Sequence, residues 1–259
     1  MYAWQVVFSA PKQGNDPWEW EDGAAAAPED RETGRGPRFA LADGATEGFG
    51  STRWAMRLVE GFVAPDVELT RRSLLGWAVR AQDGWRHDPV LSRASGVELF
   101  KLDSVGSFAT FLGCELTGLA GERPRWRAVA VGDTVLFHVR GNRLVGQFPP
   151  MRADDFGVNP AGVPTVPAAL PGVVDRMEFA EGDVEPGDLL YLATDALAQW
   201  MVREDDDGLW SLLAGLDHPH RFRELADDRR ETREMTNDDV TLMRISVAAS
   251  WPDQLVVCV

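Results

Sequence analysis

RWRAVAVGDTVLFHVRGNRLVGQF, residues 125–148, is rich in β-branched and aromatic residues, which suit the pleated, half-buried surface of a sheet. Gly141-Asn142 stands between two of its apolar runs as a tight-turn signal, the mark of antiparallel pairing. GSFATFLGCEL (106–116), just upstream, has the same character. Further strand-like runs are Ala3 to Ser9, RFALAD (38–43), DLLYLATD (188–195), VTLMRIS (240–246) and QLVVCV (254–259). Helical spacing appears in separate blocks. From Ser51, read as an N-cap, Trp54, Ala55, Leu58, Val59 and Phe62 share one face. A second helix runs from Leu74 to about Trp85, a third begins near Ala196, and a polar one covers roughly His218 to Met235. Strands and helices in blocks, rather than strict alternation, favour an α+β chain with antiparallel sheets and a single domain over 1–259. Residues 149–176 are long for a connection. Prolines at 149, 150, 160, 164, 167 and 171 restrict their backbone, which suggests a defined, flap-like surface element.

Composition narrows the function classes. With 44% apolar and 9% aromatic residues the chain can fill a sizeable core. A net charge of -15 offers no basic stripe for nucleic acid and no attraction to an anionic membrane. It would also repel a polyanionic substrate at long range, so phosphate chemistry here must bring its own cations. Lysine is confined to Lys12 and Lys101. Cys114 and Cys258 lie in apolar runs and read as buried free thiols. The N-terminus lacks a basic segment and a long apolar run, and no stretch approaches the length of a membrane span, so a cytoplasmic location is expected.

The chemical signal is a recurrence. Apolar strands stop at, or start just after, an aspartate: Asp43 after RFALA, Asp133 after AVAVG, Asp195 after LLYLAT, and Asp238-Asp239 before VTLMRIS. One such aspartate is an ordinary turn former. Four such places in one chain can converge, because strand ends on one side of a sheet meet in space. Clustered carboxylates raise one another's pKa unless a cation intervenes, and hard divalent ions such as Mg²⁺ or Mn²⁺ are the natural partners.

Six segments, EWEDGAAA, FALADGATEGFGSTRWA, GSFATFLG, VAVGDTVLFHVRGNRLV, GDLLYLATDALAQWM and TNDDVTLMRI, resemble in order and spacing the metal-dependent protein phosphatases of type 2C, in particular bacterial members. The resemblance implies two antiparallel β-sheets packed as a sandwich with helices on both outer faces, a four-layer αββα arrangement. It implies hydrolysis of phosphoserine or phosphothreonine on proteins by direct attack of a water bridging two Mn²⁺ or Mg²⁺ ions. Asp43 matches the bridging aspartate and Gly44 a carbonyl ligand of the second ion. Asp195 and Asp238 match the other carboxylates of the first ion, and Glu21-Asp22 the acidic pair holding the second. Asp133 matches a position that helps bind a weaker third ion. The implied partner is a phosphorylated protein from a Ser/Thr kinase pathway, with no nucleic acid and no membrane, and the chain is expected to be a monomer.

Several positions depart from the family pattern. Lys12, nine residues before Glu21, is the nearest cation to where an arginine grips the substrate phosphate, and it is assigned to substrate binding. Ala45 follows Asp43-Gly44 where many members have a histidine, Thr46-Glu47-Gly48 replaces a Gly-Gly, Ala196 replaces a glycine, and Asp239 stands where asparagine is frequent. The alternative is a weak or inactive member acting as a phosphoprotein-binding regulatory module; a small phosphorylated metabolite is a third possible target. His87, His138, His218 and His220 are not assigned to catalysis. Trp18 and Trp20, beside the acidic pair, are read as packing or loop anchors, and Glu204 to Asp207 as a solvated turn.

Overall fold

The run from Arg125 to Arg140 forms two strands that lie in different sheets. β6 (Arg125–Val131) ends at a corner, Gly132-Asp133-Thr134, and β7 (Val135–Arg140) continues in the second layer. Gly132 has a φ of +99°, and a Cβ there would come within 2.5 Å of the Ala161 carbonyl oxygen, so the corner requires glycine. The computed structural model describes residues 1–30, 32–45, 50–89, 91–93, 95–96, 106–121, 123–157 and 160–251. QLVVCV (254–259), Cys258 and Thr46-Glu47-Gly48 lie outside the described residues.

Among the described residues the first sheet runs β1 (Tyr2–Ala10), β12 (Val240–Ala248), β11 (Leu189–Ala193), β7 and β8 (Arg143–Phe148). The second runs β10 (Glu178–Asp183), β6, β5 (Phe111–Thr117), β3 (Arg38–Ala42) and β2 (Gly23–Ala27). Every neighbouring pair in both sheets is antiparallel. GSFATFLGCEL divides: β4 (Phe108–Ala109) leaves the main sheet to pair with β9 (Val163–Pro164).

The inner strands β3, β5, β7, β11 and β12 are largely apolar because both faces of each sheet are covered. Phe39, Leu41, Leu112, Leu136, Leu190 and Met243 meet between the sheets. Their alternate neighbours face outward, as the two-residue period of a strand requires. On the second sheet Ala40, Phe111 and Val129 pack under α1 (Ser51–Val63) and α2 (Arg71–Trp85), with Trp54, Leu58, Phe62 and Trp77 fully buried. On the first sheet Phe8, Phe137, Tyr191 and Leu242 pack under α4 (Asp195–Arg203), α5 (Asp207–Ala214) and α6 (Pro219–Glu231). The result is the expected four-layer αββα sandwich. No helix among the described residues is long and apolar enough to cross a membrane.

Some local expectations change. Ser51 is the first residue of α1 rather than its cap; Gly50, with φ 71°, precedes the helix, and the Ser51 hydroxyl is used elsewhere. β2 is built of alanines and β10 of acidic and small residues, and neither has the composition by which a strand is read. The acidic run 204–207 is no plain turn: Asp206 accepts from the Leu209 amide to cap α5, and Asp205 accepts from the Trp210 indole. Trp18 is 78% exposed and therefore not a packing residue. Trp20, in contrast, anchors through its indole. Residues 149–176 carry β9 and the short helix α3 (Leu170–Val174), and are tied to the core by the Trp54 indole on the Val163 carbonyl and the Gln82 amide on the Pro164 carbonyl. Cys114 is buried in β5 and free.

Candidate metal centre

Strand register brings the acidic residues to one end of the sandwich. Gly23 pairs with Ala42, so Asp22 and Asp43 flank the same end of β2 and β3. The Thr110 amide donates to the Asp43 carbonyl at 2.9 Å, which places the start of β5 there too. Ala193 pairs with both Val135 and Leu242, so the ends of β11, β7 and β12 carry Asp195, Asp133 and Asp238-Asp239 to the same place. Val240 pairs with Ala10, which brings in Lys12. The structure thus gathers Glu21, Asp22, Asp43, Gly44, Asp133, Asp195, Asp238 and Lys12. The histidines lie elsewhere: His138 is between the sheets against Trp126 and Asp188, and His218 caps α6.

A second set of residues holds these groups in place. Asp239 is buried, and its two carboxylate oxygens accept from the backbone amides of Lys12 (2.8 Å) and Glu21 (2.9 Å). Thr241 donates to Asp22 Oδ2 at 2.6 Å and accepts from the Trp20 indole at 3.0 Å. Its own amide donates to the Thr194 hydroxyl, at the entrance to α4. Ser51 donates to Glu21 Oε1 at 2.5 Å. Arg230, buried on α6, donates to the backbone carbonyls of Ala10, Pro11 and Asp238, clamping the loop after β1 to the loop before β12. A Cβ on Gly44 would lie 2.5 Å from the Glu21 carbonyl oxygen, so only glycine admits this close approach. Asp239 is named from sequence beside Asp238, but not for this bracing role. Arg230, in a polar helix, carries no sequence signal of its role.

The electrostatics are those of crowded carboxylates. Burial raises the Asp43 carboxyl well above the usual range, and Asp22, Asp195, Asp133 and Asp238 add repulsion. Burial lifts Asp22 to about 8, against the Thr241 hydrogen bond and with added repulsion from Asp239, Asp195 and Asp238. Asp133 is lifted to about 7 by burial and by Asp195. Asp195 is raised by burial and Asp238, while hydrogen bonds from Ala196 and Asp43 pull the other way. The Lys12 ammonium lies 2.9 Å from Asp238 Oδ1 and 4.0 Å from Glu21 Oε2. Burial disfavours its charge, but Asp238, Asp239 and Glu21 outweigh this and raise its pKa.

No three described His, Cys, Asp or Glu side chains form a ready-made cage for an ion. The donors nevertheless fit hard divalent cations. Asp22 Oδ1 and Asp133 Oδ1 are buried without a hydrogen-bond partner, and a carboxyl so buried becomes fully ionised near neutral pH only when a cation pairs with or coordinates it. Every candidate ligand is an oxygen, the preference of Mg²⁺ and Mn²⁺. Beside Asp133 opens a groove of 840 Å³, whose walls include Met151, Ala161, Arg71 and Arg176.

No protein-family model matches the chain, and no curated protein matches it in sequence. Solved structures do match. The catalytic domain of the Ser/Thr phosphatase PstP in complex with two manganese ions is 14% identical, covers 95% of this chain and 98% of its own, and has a TM-score of 0.60. The Mycobacterium smegmatis PPM Ser-Thr phosphatase MsPP is 17% identical, with 96% and 99% covered and a TM-score of 0.58. The Ser/Thr phosphatase Stp1 from Staphylococcus aureus is 13% identical, with 96% of each chain covered and a TM-score of 0.62. At these identities the likeness is one of fold.

Proposed function

We infer, from a fold shared with metal-dependent Ser/Thr phosphatases and from the carboxylates gathered at one end of it, that this chain is a metal-dependent phosphatase acting on phosphoserine and phosphothreonine in proteins. The observation that carries the reading is the convergence of Asp43, Asp195 and Asp238 with the buried, unpartnered oxygens of Asp22 and Asp133. Asp43, Asp195 and Asp238 would hold a first divalent ion; Asp43, the Gly44 carbonyl and Glu21-Asp22 would hold a second, and Asp133 a weaker third. Bound Mn²⁺ or Mg²⁺ supplies the acidified water and the positive charge that in-line displacement at phosphorus requires. The protein's own part is to keep the ligands aimed: Asp239 fixes the chain on either side of the acidic pair, Thr241 orients Asp22, and Ser51 orients Glu21. Lys12, whose ammonium pairs with Asp238, is the nearby cation assigned to a substrate phosphate. With no general-acid histidine among these residues, a leaving group of low basicity should react fastest. A non-catalytic phosphoprotein-binding module would have no use for so costly a cluster. We further take the protein to act in the cytoplasm, as a monomer, downstream of a Ser/Thr kinase.

The test is hydrolysis of an aryl phosphate and of a phosphothreonine peptide, with and without Mn²⁺. Turnover of both should appear with Mn²⁺ and vanish with excess chelator. Turnover undiminished in protein shown to be metal-free would overturn the metal mechanism, and none with Mn²⁺ bound would overturn the phosphatase reading.

The groove beside Asp133 should choose among large substrates. Arg176, exposed on its wall, is expected on substitution to glutamate to raise KM for a phosphopeptide several-fold while leaving aryl phosphate kinetics unchanged. Equal loss on both substrates would place Arg176 in the hydrolytic centre instead.

A further inference from the structure

Lys12 is held between Asp238 and Glu21. The loop that carries it is pinned three times: Arg230 grips the Pro11 carbonyl, the Lys12 amide donates to Asp239, and the Gln13 amide donates to Asn237 Oδ1 at 2.8 Å. The side chain is only 18% exposed, and its ammonium reaches Asp238 at 2.9 Å and Glu21 at 4.0 Å. On the functional reading above, on which this inference rests, Asp238 belongs to the first ion and Glu21 to the second.

We propose that the Lys12 ammonium serves as counter-cation to the carboxylate cluster in metal-free protein, and that divalent ions load by displacing it from Asp238. A half-buried ion pair on a pinned loop loses little entropy on forming and is poorly screened, so it competes with the incoming ion. In the metal-free protein it offsets the repulsion among Asp238, Glu21 and their neighbours. Once an ion takes Asp238, the ammonium exchanges that partner for a substrate phosphate. Lys12 thereby sets the metal affinity as well as contacting substrate, and metal loading and phosphate binding are coupled through one side chain.

The signature is a pair of effects of opposite sign. Lys12→Gln should lower the melting temperature of the metal-free protein, because the cluster loses its counter-charge. The same variant should bind Mn²⁺ more tightly, by about fivefold, because no ion pair has to be broken first. Lys12→Arg, which keeps the charge, should restore both properties toward wild type. The measurements are thermal melts in chelator and calorimetric Mn²⁺ titration, neither of which needs turnover. A lysine with a merely structural role would lower stability and metal affinity together. One that touches substrate alone would leave Mn²⁺ affinity unchanged. Either result overturns the proposal, as does failure of both wild type and variant to bind Mn²⁺. Equal Mn²⁺ affinities alongside intact Mn²⁺-dependent hydrolysis would sink this inference alone. Tighter binding in Lys12→Gln without hydrolysis by the Mn²⁺-loaded wild type would sink the phosphatase reading alone.

Discussion

Asp43→Asn is expected to lower Mn²⁺-dependent hydrolysis by on the order of a thousandfold or more, equivalent to about 4 kcal/mol of barrier. On the proposed reading Asp43 alone serves both ions, so replacing its carboxylate by an amide removes charge from two sites at once. Metal affinity should fall in the same variant, visible by calorimetry, because an amide is a far weaker ligand for a hard cation. The fold should survive. Asp43 is costly in the metal-free protein: its carboxyl is buried and repelled by Asp22, Asp195, Asp133 and Asp238. Neutralising it removes a penalty, so the metal-free variant should melt at or above the wild-type temperature. This separates loss of a ligand from loss of structure, since a structural aspartate would lower both activity and melting temperature. Wild-type rates in Asp43→Asn would mean that the catalytic centre lies elsewhere.

Metal-free protein should lose stability as pH rises from about 4 to about 8. The sign follows from linkage. Asp22 is raised from 3.8 to about 8 and Asp133 to about 7 in the folded chain, so folded protein retains protons that unfolded protein releases. Stability then falls with pH wherever the folded state binds more protons. The contribution is complete below the ordinary carboxylate pKa and is lost as pH climbs through the raised values. Two buried carboxyls displaced in the same direction should move the melting temperature of the metal-free protein by many degrees across this window. Asp188 does not confuse the measurement. Its burial is outweighed by hydrogen bonds from Arg140, the Glu185 amide and His138, so it titrates below this window. Saturating Mn²⁺ should flatten the slope, because ion binding stabilises the deprotonated cluster. Thermal melts at pH 5 and pH 8, in chelator and in Mn²⁺, supply the check, with Asp22→Asn as the control that should lose part of the slope. A metal-free protein as stable at pH 8 as at pH 5 would show that these carboxylates are not crowded in solution.

The sequence by itself determined the blocks of strand and helix and singled out the strand-terminal aspartates; the four-layer plan and the Glu21-Asp22 pair came from the family resemblance. β-branched runs, the Gly141-Asn142 turn and the face shared by Trp54, Leu58 and Phe62 are local consequences of backbone period and burial, and they are legible without tertiary information. The strand-terminal aspartates could be named for the same reason, since each stands out against its own apolar run. β2 and β10 could not be read, because an alanine edge strand and an acidic one are held by their neighbours in the sheet rather than by their own propensity. The sheet change at Gly132-Asp133-Thr134 was equally hidden: residues 125–140 read as one strand-like run until the layers are packed. Only the tertiary structure decided what holds the candidate site together. Asp239 bracing Lys12 and Glu21, Thr241 on Asp22, Arg230 clamping two loops and Lys12 on Asp238 join residues up to 227 positions apart in the chain. Such contacts leave no period or spacing behind. They arise because antiparallel register returns distant strand ends to one edge of the sandwich, where charge and hydrogen bonding, rather than local propensity, choose the partners.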